Sequence, residues 1–138
     1  MIFEEDFLFK TIIVPTDGSK FAEKAENVAI SIAKNFNGKL VVLHIIDEKL
    51  IYPFEVLEKE GNDILEKAAK KAEDQYVTVE TVLIVGNPTH DMPKIVEKTG
   101  ADLVVIGTHG KTGLEKLLMG SVAENAIKTV KVPVLLVK

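Results

Sequence analysis

The sequence predicts an α/β fold: one doubly wound domain with a five-stranded parallel sheet in strand order 3-2-1-4-5 and helices on both faces. Three observations predict it. Short apolar runs alternate with amphipathic stretches of helical period, four times over, and the series closes on a strand. Most of the apolar runs lack polar alternation, as expected of strands covered on both faces. The chain is 138 residues long, the size of a single domain, and no linker, repeat or low-complexity segment divides it.

The first strand is Thr11-Ile12-Ile13-Val14, ended by Pro15. After Asp17-Gly18-Ser19 the period becomes helical, with Ala22, Ala25, Ala29, Ile32, Ala33 and Phe36 on one stripe. Asn37-Gly38 closes this helix, because both residues tolerate the left-handed conformation found there. Leu40-Val41-Val42-Leu43-His44-Ile45-Ile46 is the second strand, and residues 47–53 form a loop stopped by Pro53. Leu57, Gly61, Ile64, Leu65, Ala68 and Ala72 mark the second helix, whose lysines and glutamates face water.

Residues 77–85 read as a third strand, its first half alternating, which places it at a sheet edge. Gly86-Asn87-Pro88 turns the chain into a third helix ending near Gly100, and Pro93 within it requires either that the regular helix begin only at about Asp91 or that it be kinked. The fourth strand covers residues 102–106. The last helix starts at Ser121, with Val122, Ala123, Ala126, Ile127 and Val130 as its apolar stripe, and the last strand covers residues 134–137. Residues 1–9 are a short extension whose Phe3, Phe7 and Phe9 are expected to pack on the body.

Composition narrows the function. Apolar residues make up 46% and charged residues 28%, which excludes a disordered chain. The formal charge of −4 offers no global field for nucleic acid. Without cysteine there is no disulfide or thiolate chemistry, which suits a cytoplasmic setting. No run reaches the roughly 20 apolar residues that span a bilayer, and Glu4, Glu5 and Asp6 stand where a signal peptide carries basic residues.

In such a sheet, ligands bind beyond the carboxyl ends of strands where the strand order reverses, here between strands 1 and 4. The segments leaving those strands are Pro15-Thr16-Asp17-Gly18-Ser19 and Gly107-Thr108-His109-Gly110-Lys111-Thr112-Gly113. Glycines there let backbone approach a ligand. Gly120-Ser121 opens a helix, whose first amides form a seat for phosphate oxygens. Ser121-x-x-Glu124 also reads as a capping box that needs no ligand, and Thr112-x-x-Glu115 as another. Asp17 has two readings, a ligand for ribose, base or hydrated magnesium, and a helix cap. Lys111 is either a cation for phosphate or a solvated loop lysine. His44, His90 and His109 lack metal-ligand spacing, though His109 lies in the candidate loop. The Gly-x4-Gly-Lys-Ser/Thr and Gly-x-Gly-x-x-Gly signatures are absent.

The spacing Gly107-x2-Gly110-x9-Gly120-Ser121 resembles the ATP-binding signature of the universal stress protein family. The opening strand, the second strand through Leu43-His44-Ile45-Ile46-Asp47, and the close Val132-Pro133-Val134-Leu135-Leu136-Val137 are also similar to that family. The resemblance covers residues 10–138 and implies an adenine nucleotide alpha hydrolase-like fold binding ATP, ADP or AMP, with or without Mg2+. It implies that Pro15, Thr16 and Asp17 border base and ribose, and that Ile45 offers backbone bonds to adenine. Gly107 and Gly110, with His109 and Lys111 beside them, would flank ribose and phosphates. Gly120, Ser121 and Val122 would hold phosphates. Ala123 departs from members with a hydroxyl at that position, and the short residues 47–53 suggest a reduced lid.

Three functions stay open: a nucleotide-dependent regulatory switch in stress response with protein partners, a slow ATP hydrolase, and a dimeric interaction module with a vestigial pocket. The loops supply only Asp17 and His109 as candidate bases, which favours the switch. A phosphate-receiver domain is excluded, because Val85-Gly86-Asn87 replaces the acceptor aspartate after the third strand. The apolar last strand at a sheet edge invites pairing with another copy, and the resemblance also implies a homodimer through residues 132–137.

Overall fold

The computed structural model describes residues 9–111 and 119–138. Phe3 and Phe7, and the segment Thr112-x-x-Glu115, lie outside the described residues. Among the described residues nine elements follow in chain order: β1 (Thr11–Pro15), α1 (Lys20–Phe36), β2 (Lys39–Asp47), α2 (Phe54–Asp74), β3 (Val79–Gly86), α3 (Met92–Thr99), β4 (Leu103–Gly107), α4 (Ser121–Thr129) and β5 (Val134–Val137). The strands form one parallel sheet of order β3-β2-β1-β4-β5. The chain therefore starts in the middle of the sheet, winds out to β3, then returns past β1 to β4.

Successive strand residues serve opposite faces, so each apolar run feeds two cores. Ile12, Val14, Leu40, Val42, Leu103 and Val105 pack under α1 and α2. Ile13, Val41, Leu43, Val104 and Ile106 pack under α3 and α4. This is why β1 and β4 show no polar alternation. Phe9 joins the first core and meets the Phe36 ring edge-on at 5.1 Å.

Several local expectations are corrected. On α1, Ile30 and Glu26 are buried, whereas Ile32 is half-buried and Phe36 is exposed. Residues 77 and 78 precede β3, because Val77 is used to close α2. Its N–H donates to Ala72 O at 3.0 Å, while Tyr76 N–H donates to Glu73 O at 2.9 Å with Tyr76 left-handed at φ 61°. Asp102 lies before β4, and its carboxylate accepts from the Lys10 and Thr11 amides at 3.0 and 3.2 Å, holding the start of β1. Pro93 sits in the first turn of α3, where it costs no helical hydrogen bond. On α4 only Ala123 and Ala126 are buried, and Ile127 is exposed. Among the described residues, no helix is long and apolar enough to cross a membrane.

Candidate functional site

Strands β1 and β4 lie side by side, with Ile12 opposite Leu103 and Ile13 opposite Val104. Their exit loops meet. Asp17 Oδ2 accepts from the Lys111 amide at 2.7 Å, and Oδ1 accepts from the Ser19 amide at 3.0 Å. Neither reading of Asp17 from sequence described this tie between loops. The cap of α1 is Ser19, whose Oγ accepts from Ala22 N–H at 3.2 Å. Gly110 makes the tie possible: a Cβ there would stand 2.7 Å from Asp17 Oδ2.

Above the junction opens a cleft of about 770 Å³. All eleven residues singled out from sequence line it. Pro15, Thr16 and Asp17 come from the β1 tip and Ile45 from β2. Gly107, His109, Gly110 and Lys111 come from the turn after β4, and Gly120, Ser121 and Val122 from the start of α4. The fold thus gathers residues more than 100 positions apart because β1 and β4 are neighbours.

Their roles in the unliganded protein differ. In β2 the odd-numbered residues turn their backbone groups toward β1, as the Thr16 N–H to Leu43 O bond of 2.8 Å shows. The β1 ladder ends at Pro15 opposite Leu43, so the N–H and C=O of Ile45 face the cleft beyond the end of their partner strand. Thr16 is buried, and its hydroxyl donates to Glu26 Oε2 at 2.5 Å. Gly107 serves packing, since a Cβ there would lie 2.8 Å from Phe21 O on α1. His109 Nδ1 lies 3.0 Å from Thr108 Oγ1, and its ring packs on Phe21 with centroids 5.1 Å apart. The Lys111 ammonium is paired with the Glu60 carboxylate of α2.

At α4 the capping-box expectation gives way. Gly120 is the N-cap residue, with φ −76° and ψ 165°, and Ser121 is already in the first turn. Among the described residues no side chain caps the helix, so its opening amides and partial positive charge are presented to the cleft. Gly120 N–H is anchored to Thr108 O at 2.6 Å, which seats the helix start on the turn after β4.

Other lining residues were missed in the sequence. Asn87, Pro88 and Thr89 after β3, Asp47 at the end of β2, and Leu50, Leu57 and Glu60 also border the cleft. A signal existed for the first five, since they follow the carboxyl ends of β2 and β3 as the ligand-site rule requires. Leu57 and Glu60 carried none, because only the docking of α2 brings them there. Among the described residues, no group of three or more His, Cys, Asp or Glu is arranged to hold a metal ion.

The fold and cleft define a doubly wound α/β protein with backbone amides collected at its switch point. The chain belongs to the universal stress protein family, whose family model matches residues 8–138. It is 40% identical over 144 residues to universal stress protein MJ0531 of Methanocaldococcus jannaschii, covering 95% of this chain and 83% of that one. Universal stress protein MJ0577 of the same organism is 33% identical over 159 residues, covering 95% and 96%. A solved MJ0577 structure aligns with TM-score 0.77 and 36% identity over 95% of this chain and 96% of that one. A universal stress protein solved in complex with cAMP aligns with TM-score 0.78 and 29% identity, covering 95% and 98%.

Proposed function

We propose that this chain is an ATP-binding member of the family: a cytoplasmic regulatory protein that holds an adenine nucleotide in the cleft and signals its occupancy to protein partners in stress response, with little or no turnover. Residues 10–138 form the binding unit and residues 1–9 an extension. The observation that carries the reading is the bond between Asp17 and the Lys111 amide. It closes the two switch-point loops under a cleft that also receives the start of α4, where the N-cap residue is Gly120.

The residues fit such a ligand. Cofactor sites commonly occupy about 300–1,000 Å³, and this cleft falls within that range. Amides of Ser121 and Val122, with the Ser121 hydroxyl, suit phosphate oxygens, and the outward backbone of Ile45 suits the adenine edge. The relative solved with cAMP supports an adenine nucleotide. ATP, ADP and AMP share the chemistry this site recognises, and Mg2+ would arrive with the polyphosphates.

Low turnover follows from the state of the candidate bases. Both Asp17 oxygens already accept backbone amides, and His109 is held by Thr108 and Phe21. Neither group is presented as an unengaged base to an attacking water.

Calorimetric titration of ATP with Mg2+, AMP and cAMP into nucleotide-stripped protein tests the reading, beside Gly120→Val. A Cβ at Gly120 would meet His109 Cα and Thr108 O at 3.4 Å, so the fold accommodates it. The cap change costs about 1 kcal/mol of stability. Nucleotide binding is expected to fall more than tenfold, and equal binding by both proteins would show the site to be misplaced. Phosphate release over hours separates a hydrolase from a switch.

A further inference from the structure

One buried charge lies behind the cleft, unused by any ligand-binding role described above. Glu26 is 3% exposed, and among the described residues it is the only buried carboxylate. Its Oε2 accepts from the Thr16 hydroxyl at 2.5 Å, and its Oε1 is ion-paired with Lys71 Nζ at 2.7 Å. Lys71 reaches in from α2 and also donates to Asn27 Oδ1 at 3.0 Å.

Thr16 is held on every polar atom. Its hydroxyl also accepts from Gly18 N–H at 3.2 Å, its N–H donates to Leu43 O at 2.8 Å, and its carbonyl lies 2.7 Å from His44 Nδ1. The next residue is Asp17, the tie to the turn after β4. The Glu26–Thr16 bond is therefore one step from the contact that shapes the cleft.

An ion pair whose carboxylate is buried and whose lysine is half-buried is weak evidence of a stabilising role. Well-packed apolar replacements of such pairs are often neutral or better for stability, and α1 surrounds Glu26 with Ala22, Ala25, Ala29 and Ile30, which are all buried. Orientation of Thr16 is what the carboxylate adds and what an apolar side chain would lose. We infer that Glu26 is a positioning residue: through the Thr16 hydroxyl it fixes the turn at the β1 tip so that Asp17 meets the Lys111 amide, with Lys71 of α2 as its countercharge. The binding consequence rests on the nucleotide reading proposed above, whereas the geometric consequence does not.

The test compares the full-length protein with Glu26→Leu, Glu26→Gln and Thr16→Val by amide-resolved NMR and by calorimetry with AMP. The Lys111 amide proton reports its bond to Asp17. In Glu26→Leu it is expected to move upfield while the Val96 amide of α3 stays in place, and AMP affinity is expected to fall about tenfold, the scale of one lost hydrogen bond. Glu26→Gln keeps a carbonyl for Thr16 and recovers part of both changes. Thr16→Val breaks the same link from the other side, so its effect and that of Glu26→Leu should not add. Should Glu26→Leu fail to fold, Glu26→Gln and Thr16→Val decide by the Lys111 shift. A folded Glu26→Leu protein with wild-type Lys111 resonance and affinity overturns the proposal. So does a fall in melting temperature with no movement of that resonance. If wild-type protein binds no nucleotide, the functional reading fails alone, and the Lys111 resonance still judges the positioning role.

Discussion

Lys111 illustrates how a single side chain belongs to two neighbourhoods. Its amide is fixed by Asp17, while its ammonium crosses to Glu60 on α2, and both residues line the cleft. An incoming phosphate must compete with the Glu60 carboxylate for that ammonium and also approach a negative charge. Glu60→Gln removes the competitor. Exposed pairs of this kind are worth up to about 1 kcal/mol, so ATP affinity is expected to rise about two- to fivefold at low salt. AMP, with less phosphate charge, should gain less, and added salt should erase the difference. Calorimetry at two ionic strengths measures this, and equal effects on ATP and AMP would remove Glu60 from the site. The glycines, Asp17 and Lys111 were legible because they stand in short, chemically marked segments at strand exits. Glu26 and Glu60 were not. Their partners lie 10 and 51 residues away, and among so many helical glutamates nothing local distinguished these two.

The elements were legible wherever one period ran uninterrupted, and their ends were legible where glycine, asparagine or proline marked them. The end of α2 shows the failure. Tyr76 takes the left-handed conformation that usually signals glycine, and it is 96% exposed, so nothing in its chemistry announces a helix terminus. Val77, drawn into the closing hydrogen bond and buried, then read as the first strand residue. Left-handed backbone costs a side-chain-bearing residue about 1–2 kcal/mol relative to glycine, while glycine loses about 0.5–1 kcal/mol more chain entropy on folding. Tyr76 is almost fully solvent-exposed, so replacing it removes little packing. Tyr76→Gly is accordingly expected to stabilise the protein by about 0.5–1 kcal/mol, measurable as a raised urea midpoint at unchanged slope. Nucleotide affinity should stay as it is, since α2 ends far from the cleft-lining residues of its first turns.

At the scale of the whole molecule the open feature is the outer edge of β5. Among the described residues the strand pairs with β4 alone, from Val104 opposite Val134 to Gly107 opposite Val137. The Val104 amide bonds Pro133 O and the Thr108 amide bonds Val137 O, so odd-numbered residues face β4 and the backbone groups of Val134 and Leu136 point outward, ready for another strand. Leu135 is 39% exposed and Ile127 of α4 is 45% exposed. We expect two copies to join through residues 132–137 about a two-fold axis, each edge satisfying the other, because an apolar edge whose backbone groups have no strand partner among the described residues is otherwise an aggregation liability. Lysine on an edge strand is the natural deterrent to such pairing. Leu135→Lys combined with Ile127→Lys would place one lysine on the edge strand and another on the exposed side of α4, while leaving the buried Ala123 and Ala126 contacts of α4 intact. Light scattering at micromolar concentration should give a dimer for the wild type and a monomer for the double variant, with nucleotide binding retained because the cleft is built within one chain. A wild-type monomer, or a double variant that still dimerises, would mean that this edge is protected by other means.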